Sequence, residues 1–281
     1  MTATSPTTVH PLGTPRRGSP TGKWLLPLYV ILAFVFMLVP IVQVIVYSFN
    51  NTTKTNSVWV GWTIDNWTNV CQANGVCEAL GMSLLVGVTA TVIATALGTL
   101  IALALGRYRF RGRQAVNLLL FLPMATPEVV LGASLAAQFL TARIEKGFWT
   151  IVIVHALFCL SFVVVTVKAR VASLDPALEE AGRDLYGSPF QVFFRVTLPL
   201  LLPGIVAAAL LSFSLSFDDF IITKFNAGSV ETFPLWVYTA AARGVPAEAN
   251  VIASAVFLFA IVIVIITQVV QAGRRRRLNQ G

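Results

Sequence analysis

Six long apolar blocks dominate this sequence. Each is about 20 to 27 residues long, enough for a helix rising 1.5 Å per residue to cross ~30 Å of hydrocarbon. Only 11% of the residues are charged, whereas average soluble proteins are about 25% charged. The sequence therefore predicts an all-α membrane protein with six transmembrane helices, at about residues 24–47, 79–105, 115–139, 148–167, 198–222 and 249–270.

Proline and small residues distinguish two of the predicted spans. Pro123 and Pro127 interrupt the third block, and membrane helices tolerate such residues better than soluble helices do. The second block carries a series of small residues, which allow other helices to approach closely. These residues are Gly81, Gly87, Ala90, Ala94, Gly98 and Ala102.

The two ends of the chain are polar and divide it into three parts. Residues 1–23 are rich in Ser, Thr, Pro and Gly and have little to bury, so we expect a disordered cytoplasmic tail. Residues 24–272 form the predicted six-helix transmembrane domain. Residues 273–281 form a basic cytoplasmic tail with four consecutive arginines.

Positive charge is distributed unequally between the two sides of the predicted bundle. Six spans put both termini on one side, and 15 of the 20 Lys and Arg residues fall on that side. The positive-inside rule then predicts that both termini are cytoplasmic. The basic residues lie on four separate edges beside helices, where they meet anionic headgroups. The net charge of +8 therefore indicates a lipid bilayer and not a nucleic acid.

This topology leaves one long cytoplasmic loop, at about residues 168–198. Asp175 and Pro176 suit the cap and first turn of a helix, two acidic residues follow early, and Gly187 suits its end. A short capped helix between two spans is suited to binding a soluble partner. The charge pattern equally fits an amphipathic helix that lies on the membrane surface.

The stretch Glu180-Ala181-Gly182, followed by Val196-Thr197-Leu198-Pro199, resembles the EAA loop of bacterial ABC-importer permeases. That family's pattern is Glu-Ala-Ala, three residues, Gly, nine residues, an aliphatic residue, one residue, then Leu-Pro. The spacing from Glu180 to Pro199 fits it. Gly182 replaces the second Ala, and Tyr186 stands where the Gly is expected, with Gly187 one place later. The helix is therefore expected to end a residue late or in a reshaped turn.

The resemblance extends from the first to the sixth span and implies the type I ABC-importer permease fold. It also implies four partner subunits: a second permease, two ATP-binding subunits and an extracytoplasmic substrate-binding protein. ATP and Mg²⁺ would bind to the ATPase, because this chain has no Gly-rich phosphate loop, and no cofactor is predicted for the chain itself. The expected coupling residues, with Glu180 and Arg183 making polar contacts, are Glu179, Glu180, Ala181, Gly182, Arg183 and Asp184.

Three acidic residues lie in or near the apolar blocks, where insertion of a central Asp costs ~2.5–3.5 kcal/mol. Glu128 is about 11 residues into the third block, roughly 16 Å deep at 1.5 Å per residue, and Asp218 and Asp219 lie near the outer end of the fifth. No Lys or Arg lies in the middle of a block, so a path lined by these acids and Phe217 favours a cationic solute.

Two other interpretations of these acids remain open. Glu128 fits a carboxyl group that is protonated or hydrogen-bonded between helices. The two aspartates fit an ordinary helix end that pairs with Lys224.

The segment 215–221, which contains Ser-Phe-Asp-Asp-Phe, together with segments 233–238 and 244–250, resembles the C-type permeases of spermidine/putrescine importers. This resemblance implies a pore subunit of a polyamine importer in the bacterial cytoplasmic membrane, and not an enzyme. One alternative is an importer permease for an amino acid, sugar, sulfate or iron. Another is an ion-coupled carrier, which usually shows an internal repeat; no convincing repeat is visible.

Few other residues are candidates for a disulfide, a metal site or a catalytic site. Cys71 and Cys77 lie in a polar segment that the topology puts outside the cytoplasm, where they form a disulfide or remain free thiols. His155 and Cys159 lie inside an apolar block and are expected to pack there, the histidine alone and neutral. The spacing of His and Cys fits no metal site, and no catalytic constellation is visible, so no metal ligand or catalytic residue is predicted.

Overall fold

The computed structural model describes residues 22–52, 58–242 and 244–278. Residues 1–21, which make up most of the predicted tail at residues 1–23, lie outside this part of the chain. The described part is helical, with a 3₁₀ turn at Val70–Gln72 and a π-helical turn at Phe193–Thr197. The helices are α1 (Gly22–Tyr47), α2 (Asp65–Thr68), α3 (Val76–Arg107), α4 (Arg113–Ala125), α5 (Glu128–Thr141), α6 (Phe148–Ala172), α7 (Ala177–Asp184), α8 (Pro189–Val192), α9 (Leu198–Phe217), α10 (Ile221–Asn226), α11 (Phe233–Ala241) and α12 (Ala247–Leu278).

The predicted all-α membrane fold is confirmed. Within the described residues, five helical segments are long and apolar enough to cross a membrane, and a bent pair, α4 with α5, makes a sixth span if it is counted as one. The five segments are Leu25–Tyr47, Val76–Arg107, Phe148–Ala172, Pro189–Phe217 and Ala247–Ile266.

The third predicted span is not one continuous helix. It breaks between Ala125 and Glu128, and α4 and α5 diverge by 107°. Thr126 is extended, with ψ 133°, because a residue before proline is disfavoured in the helical conformation, and Pro127 itself has no N–H to continue the ladder. The depth of 16 Å for Glu128, which assumed a straight helix, is therefore wrong. Glu128 instead begins α5, at the bend.

The fifth span ends earlier than the sequence predicts. The sequence predicts it at residues 198–222, but α9 ends at Phe217 and a new helix, α10, begins at Ile221. The carboxylate of Asp219 accepts hydrogen bonds from the backbone N–H groups of Ile222 (3.3 Å) and Thr223 (2.8 Å). Satisfying these first N–H groups favours a fresh helix start over continuation of α9.

The core lies where α3, α6 and α9 pack together, and α3 and α6 share the largest contact. Its buried residues include Leu105, Val163 and Leu201. We name the two ends of this bundle after the short helices that cover them. At the α7 end lie the last turn of α3 and the start of α9. At the α11 end lie the start of α3 and the end of α9.

Close packing of α3 against α6 depends on Gly98. A Cβ atom on this residue would lie 2.6 Å from Val163 Cγ1 and 2.8 Å from Val163 Cβ. Gly81, on the same helix, has nothing within 4 Å of the corresponding position. Among the small residues in the second span, Gly98 is therefore needed for close packing against another helix, whereas Gly81 is not.

We expect Gly98→Ala to destabilise the protein because overpacking of a core costs about 1–3 kcal/mol. Gly81→Ala is the matched control, because it provides the same gain in helix propensity, about 0.5–1 kcal/mol, without the clash. The measurement is thermal unfolding of the purified protein in lipid nanodiscs. An unfolding temperature for Gly98→Ala equal to that of Gly81→Ala would contradict this packing argument.

Candidate coupling and translocation sites

The predicted short helix between the fourth and fifth spans is present as α7, eight residues long. Asp175 precedes it and caps its first turn, because its Oδ1 accepts a hydrogen bond from the backbone N–H of Ala177 at 2.9 Å. Glu179 and Glu180 lie in the first turn, and Arg183 lies in the last, which is the arrangement that the helix dipole favours.

The end of α7 is a Schellman motif. The N–H of Gly187 donates to the carbonyl of Gly182 (3.2 Å), and the N–H of Tyr186 donates to the carbonyl of Arg183 (2.9 Å). Tyr186 has φ 59°, the left-handed conformation that costs a residue with a Cβ about 1–2 kcal/mol. The left-handed turn therefore stays at the position of the family's Gly, although tyrosine occupies it.

The six predicted coupling residues divide into two groups. Glu180, Ala181, Arg183 and Asp184 are exposed, whereas Glu179 and Gly182 are half-buried and face the rest of the protein. Gly182 lies against Val192 of α8, where a Cβ would come within 3.2 Å of the valine Cγ2. Its small size therefore serves packing within the loop.

Glu179 joins three elements at the α7 end. Its Oε1 accepts a hydrogen bond from Nη2 of Arg107 at 2.8 Å and from Oγ1 of Thr197 at 3.1 Å. Arg107 is the last residue of α3, and Thr197 is the last residue of the π-helical turn. The side chains of Glu179 and Arg107 are each 20% exposed.

A buried polar network lies at the α11 end, around Asp219. Besides capping α10, its Oδ2 accepts a hydrogen bond from the Thr223 hydroxyl at 2.9 Å and lies 3.3 Å from His155 Nε2. The other ring nitrogen of His155 lies 2.7 Å from Ser216 Oγ. The side chains of His155 and Asp219 are only 2% and 5% exposed, so this network ties α6, α9 and α10 together.

One expectation about this region was wrong, and one of the open alternatives does not hold for Asp219. His155 is not isolated within its span, and Asp219 interacts with it and not with Lys224. The ammonium group of Lys224 instead lies over the Tyr238 ring, 3.9 Å from its centroid, and 5.2 Å from that of Phe220. His155 and Asp219 are 64 positions apart, so local sequence patterns contain no signal for their contact.

Asp218 and Phe217 line a cavity of about 650 Å³ between α1, α9, α11 and α12. The side chain of Asp218 is exposed, unlike that of its neighbour Asp219. Asn250 is among the polar lining residues, and most of the remaining wall is apolar or aromatic. The two adjacent aspartates thus have different surroundings: one faces a cavity, and the other belongs to the buried network.

Glu128 lies near the same aspartates. It is exposed at the start of α5 and is within electrostatic range of both Asp218 and Asp219. The connection between α5 and α10 explains this proximity: the side-chain amide of Asn226 donates a hydrogen bond to the carbonyl of Gly132 at 3.1 Å. All four residues predicted to line a substrate path thus lie in one region.

Cys71 and Cys77 are joined by a disulfide at the α11 end. The short loop that they close rests on α11, because Nε1 of Trp236 donates a hydrogen bond to the carbonyl of Asn74 at 3.0 Å. Trp236 is buried in a small apolar cluster with Val76 and other residues of α3, α11 and α12. The loop is therefore anchored to the helices beneath it.

Comparison with known proteins identifies relatives over most of the chain. Residues 94–280 match the family of binding-protein-dependent transport system inner membrane components. The spermidine/putrescine transport system permease protein PotC of Escherichia coli (strain K12) is 36% identical over 238 residues, which cover 84% of this chain and 90% of the relative. The putrescine transport system permease protein PotI of the same strain is 34% identical, covering 80% of this chain and 83% of the relative.

Solved structures share the fold at lower identity. A chain of a bacterial ABC transporter involved in the import of the acidic polysaccharide alginate has a TM-score of 0.63 at 17% identity, covering 92% of this chain and 99% of that chain. A chain of the MetNI methionine ABC transporter has a TM-score of 0.55 at 20% identity, covering 70% and 94%. This chain has the type I importer fold and is a multi-pass inner-membrane permease of the binding-protein-dependent transport family.

Proposed function

We propose that this chain forms half of the translocation pore of an ATP-driven polyamine importer. Spermidine and putrescine carry several ammonium groups separated by methylene segments. The exposed carboxylate of Asp218 beside an apolar and aromatic cavity carries this proposal, because such a cavity binds the methylenes while the acid attracts the ammonium. The relatives' names support the same substrate class.

The position of Lys224 gives a physical model for ammonium binding in this region. Phe220 and Tyr238 have ring centroids 4.6 Å apart, and the Lys224 ammonium lies over both rings. Cation–π contacts of this type contribute about 0.5–2 kcal/mol, more when water is excluded. Aromatic side chains beside Asp218 are thus chemically suited to a polyamine.

The proposed assembly has the α7 end in the cytoplasm, as the bias of Lys and Arg predicts. There the exposed side chains of Glu180 and Arg183 would contact an ATP-binding subunit, which holds ATP and Mg²⁺. A second permease subunit completes the pore, and a substrate-binding protein delivers the polyamine at the α11 end. The Cys71–Cys77 disulfide then lies on the oxidising side of the membrane.

The test is ATPase stimulation in the assembled transporter, purified with its partner subunits in lipid. We expect spermidine with the cognate binding protein to stimulate hydrolysis, whereas an amino acid or a sugar does not. Stimulation by a neutral or anionic solute alone would overturn the assignment of a cationic substrate.

Asp218→Asn should weaken spermidine transport specifically. A hydrogen bond to a charged group contributes about 1.5–3 kcal/mol, so we expect the KM for spermidine uptake to rise roughly 10- to 100-fold. Glu231→Gln is the control, since this exposed carboxylate at the same end does not line the cavity around Asp218. Equal KM values in the two variants would exclude Asp218 from the path.

A further inference from the structure

The two adjacent glutamates of α7 have different surroundings. Successive residues on a helix point about 100° apart, because one turn takes 3.6 residues. Glu180 is exposed, whereas Glu179 lies against α3 and the start of the fifth span. A partner subunit that binds the exposed face of α7 would therefore meet Glu180 and not Glu179.

Glu179 adds a direct connection between α7 and α3. By packing alone, α7 contacts mainly α8 and the π-helical turn. The ion pair from Glu179 to Arg107 reaches past these elements to the last residue of α3. Since α3 has its largest contact with α6 and also packs on α9, a displacement of its end reaches the core of the bundle.

The same carboxylate oxygen also holds the start of the fifth span. Thr197 is 6% exposed and closes the π-helical turn, whose hydrogen bonds include the one from Leu198 N–H to the Phe193 carbonyl. Single π-helical turns within α-helices occur frequently at functional sites. One oxygen atom of Glu179 thus connects the loop helix to the end of α3 and to the start of the fifth span.

Arg107 has room to keep this contact while α7 shifts. A cavity of about 320 Å³ lies beside the pair, lined by Tyr108, Arg183 and Phe193 among others. Nε of Arg107 is buried, and among the described residues it has no hydrogen-bond partner. The guanidinium group therefore has a second donor available if the carboxylate is displaced.

From this geometry we propose that Glu179 is a positioning residue, which acts through Arg107 and Thr197 to transmit the motion of α7 to α3 and α9. In this arrangement Glu180 faces the ATPase, and Glu179 passes the displacement into the membrane domain. The inference rests on the proposed function, since it assigns a role within ATP-driven transport. Among the six expected coupling residues, it gives Glu179 a role within this chain and leaves the partner contacts to exposed residues such as Glu180.

The test uses three variants of the assembled transporter. Two are the single substitutions Glu179→Gln and Arg107→Gln. The third, the exchanged pair, carries both Glu179→Arg and Arg107→Glu. Two quantities are measured: polyamine molecules transported per ATP hydrolysed, and thiol labelling of α3 after the added substitution Gly81→Cys, with and without vanadate-trapped nucleotide. Arg109→Gln is the control, because Arg109 is an exposed arginine two positions after Arg107.

We expect each single variant to assemble and hydrolyse ATP while transport per ATP falls at least tenfold and nucleotide-dependent labelling disappears. The exchanged pair should recover both, and Arg109→Gln should behave as wild type. Single variants with wild-type coupling, or variants that lose only assembly, would overturn the role of Glu179. If the wild-type transporter moves no polyamine, the proposed substrate is wrong. If its labelling still responds to nucleotide, the labelling experiment still decides the role of Glu179.

Discussion

Replacing Asp219 with alanine is expected to destabilise the protein by about 3–5 kcal/mol, because removal of one partner leaves buried polar groups without compensation. The His155 ring, the Thr223 hydroxyl and the first N–H groups of α10 would all lose the same carboxylate. Asp219→Asn should be milder, since an amide oxygen still caps a helix.

The adjacent residue provides the control for this prediction. Asp218 has the same side chain but is exposed to the cavity, so Asp218→Ala should change stability by about 0.5 kcal/mol or less. Thermal unfolding in lipid nanodiscs measures both, and the expected decrease for Asp219→Ala is on the order of 10 °C. Similar decreases for the two variants would show that the His155 network contributes little to stability.

Replacing Glu180 with alanine should abolish most uptake without preventing assembly. Glu180 is exposed on α7, so its removal leaves no buried partner unpaired. Loss of a charge-assisted hydrogen bond to the ATPase, worth about 1.5–3 kcal/mol, corresponds to a roughly 10- to 100-fold decrease in transport.

The measurement for Glu180→Ala is polyamine uptake into proteoliposomes, normalised to assembled complex. Glu78→Ala is the matched control, because Glu78 is an exposed glutamate in the first turn of α3, at the opposite end of the bundle. Unchanged uptake by a fully assembled Glu180→Ala transporter would exclude this residue from coupling.

The sequence predicts the helix that contains Glu179 and Glu180, but it does not predict which of the two side chains faces outward. The Asp175 cap and the early acids are local features, and they correctly predict α7. Which of the two glutamates faces outward depends on the rotation of α7 about its own axis. That rotation is determined by packing against Val192 and Arg107, residues that other elements supply.

The apolar blocks themselves determined that this protein is an all-α membrane protein, because hydrophobicity over about 20 residues is a local property that the bilayer selects directly. Tertiary structure alone decided that Asp218 faces a cavity and that Asp219 is buried against His155. The physical reason is that a buried carboxylate must find hydrogen-bond donors, and here those donors come from helices that are distant in the chain.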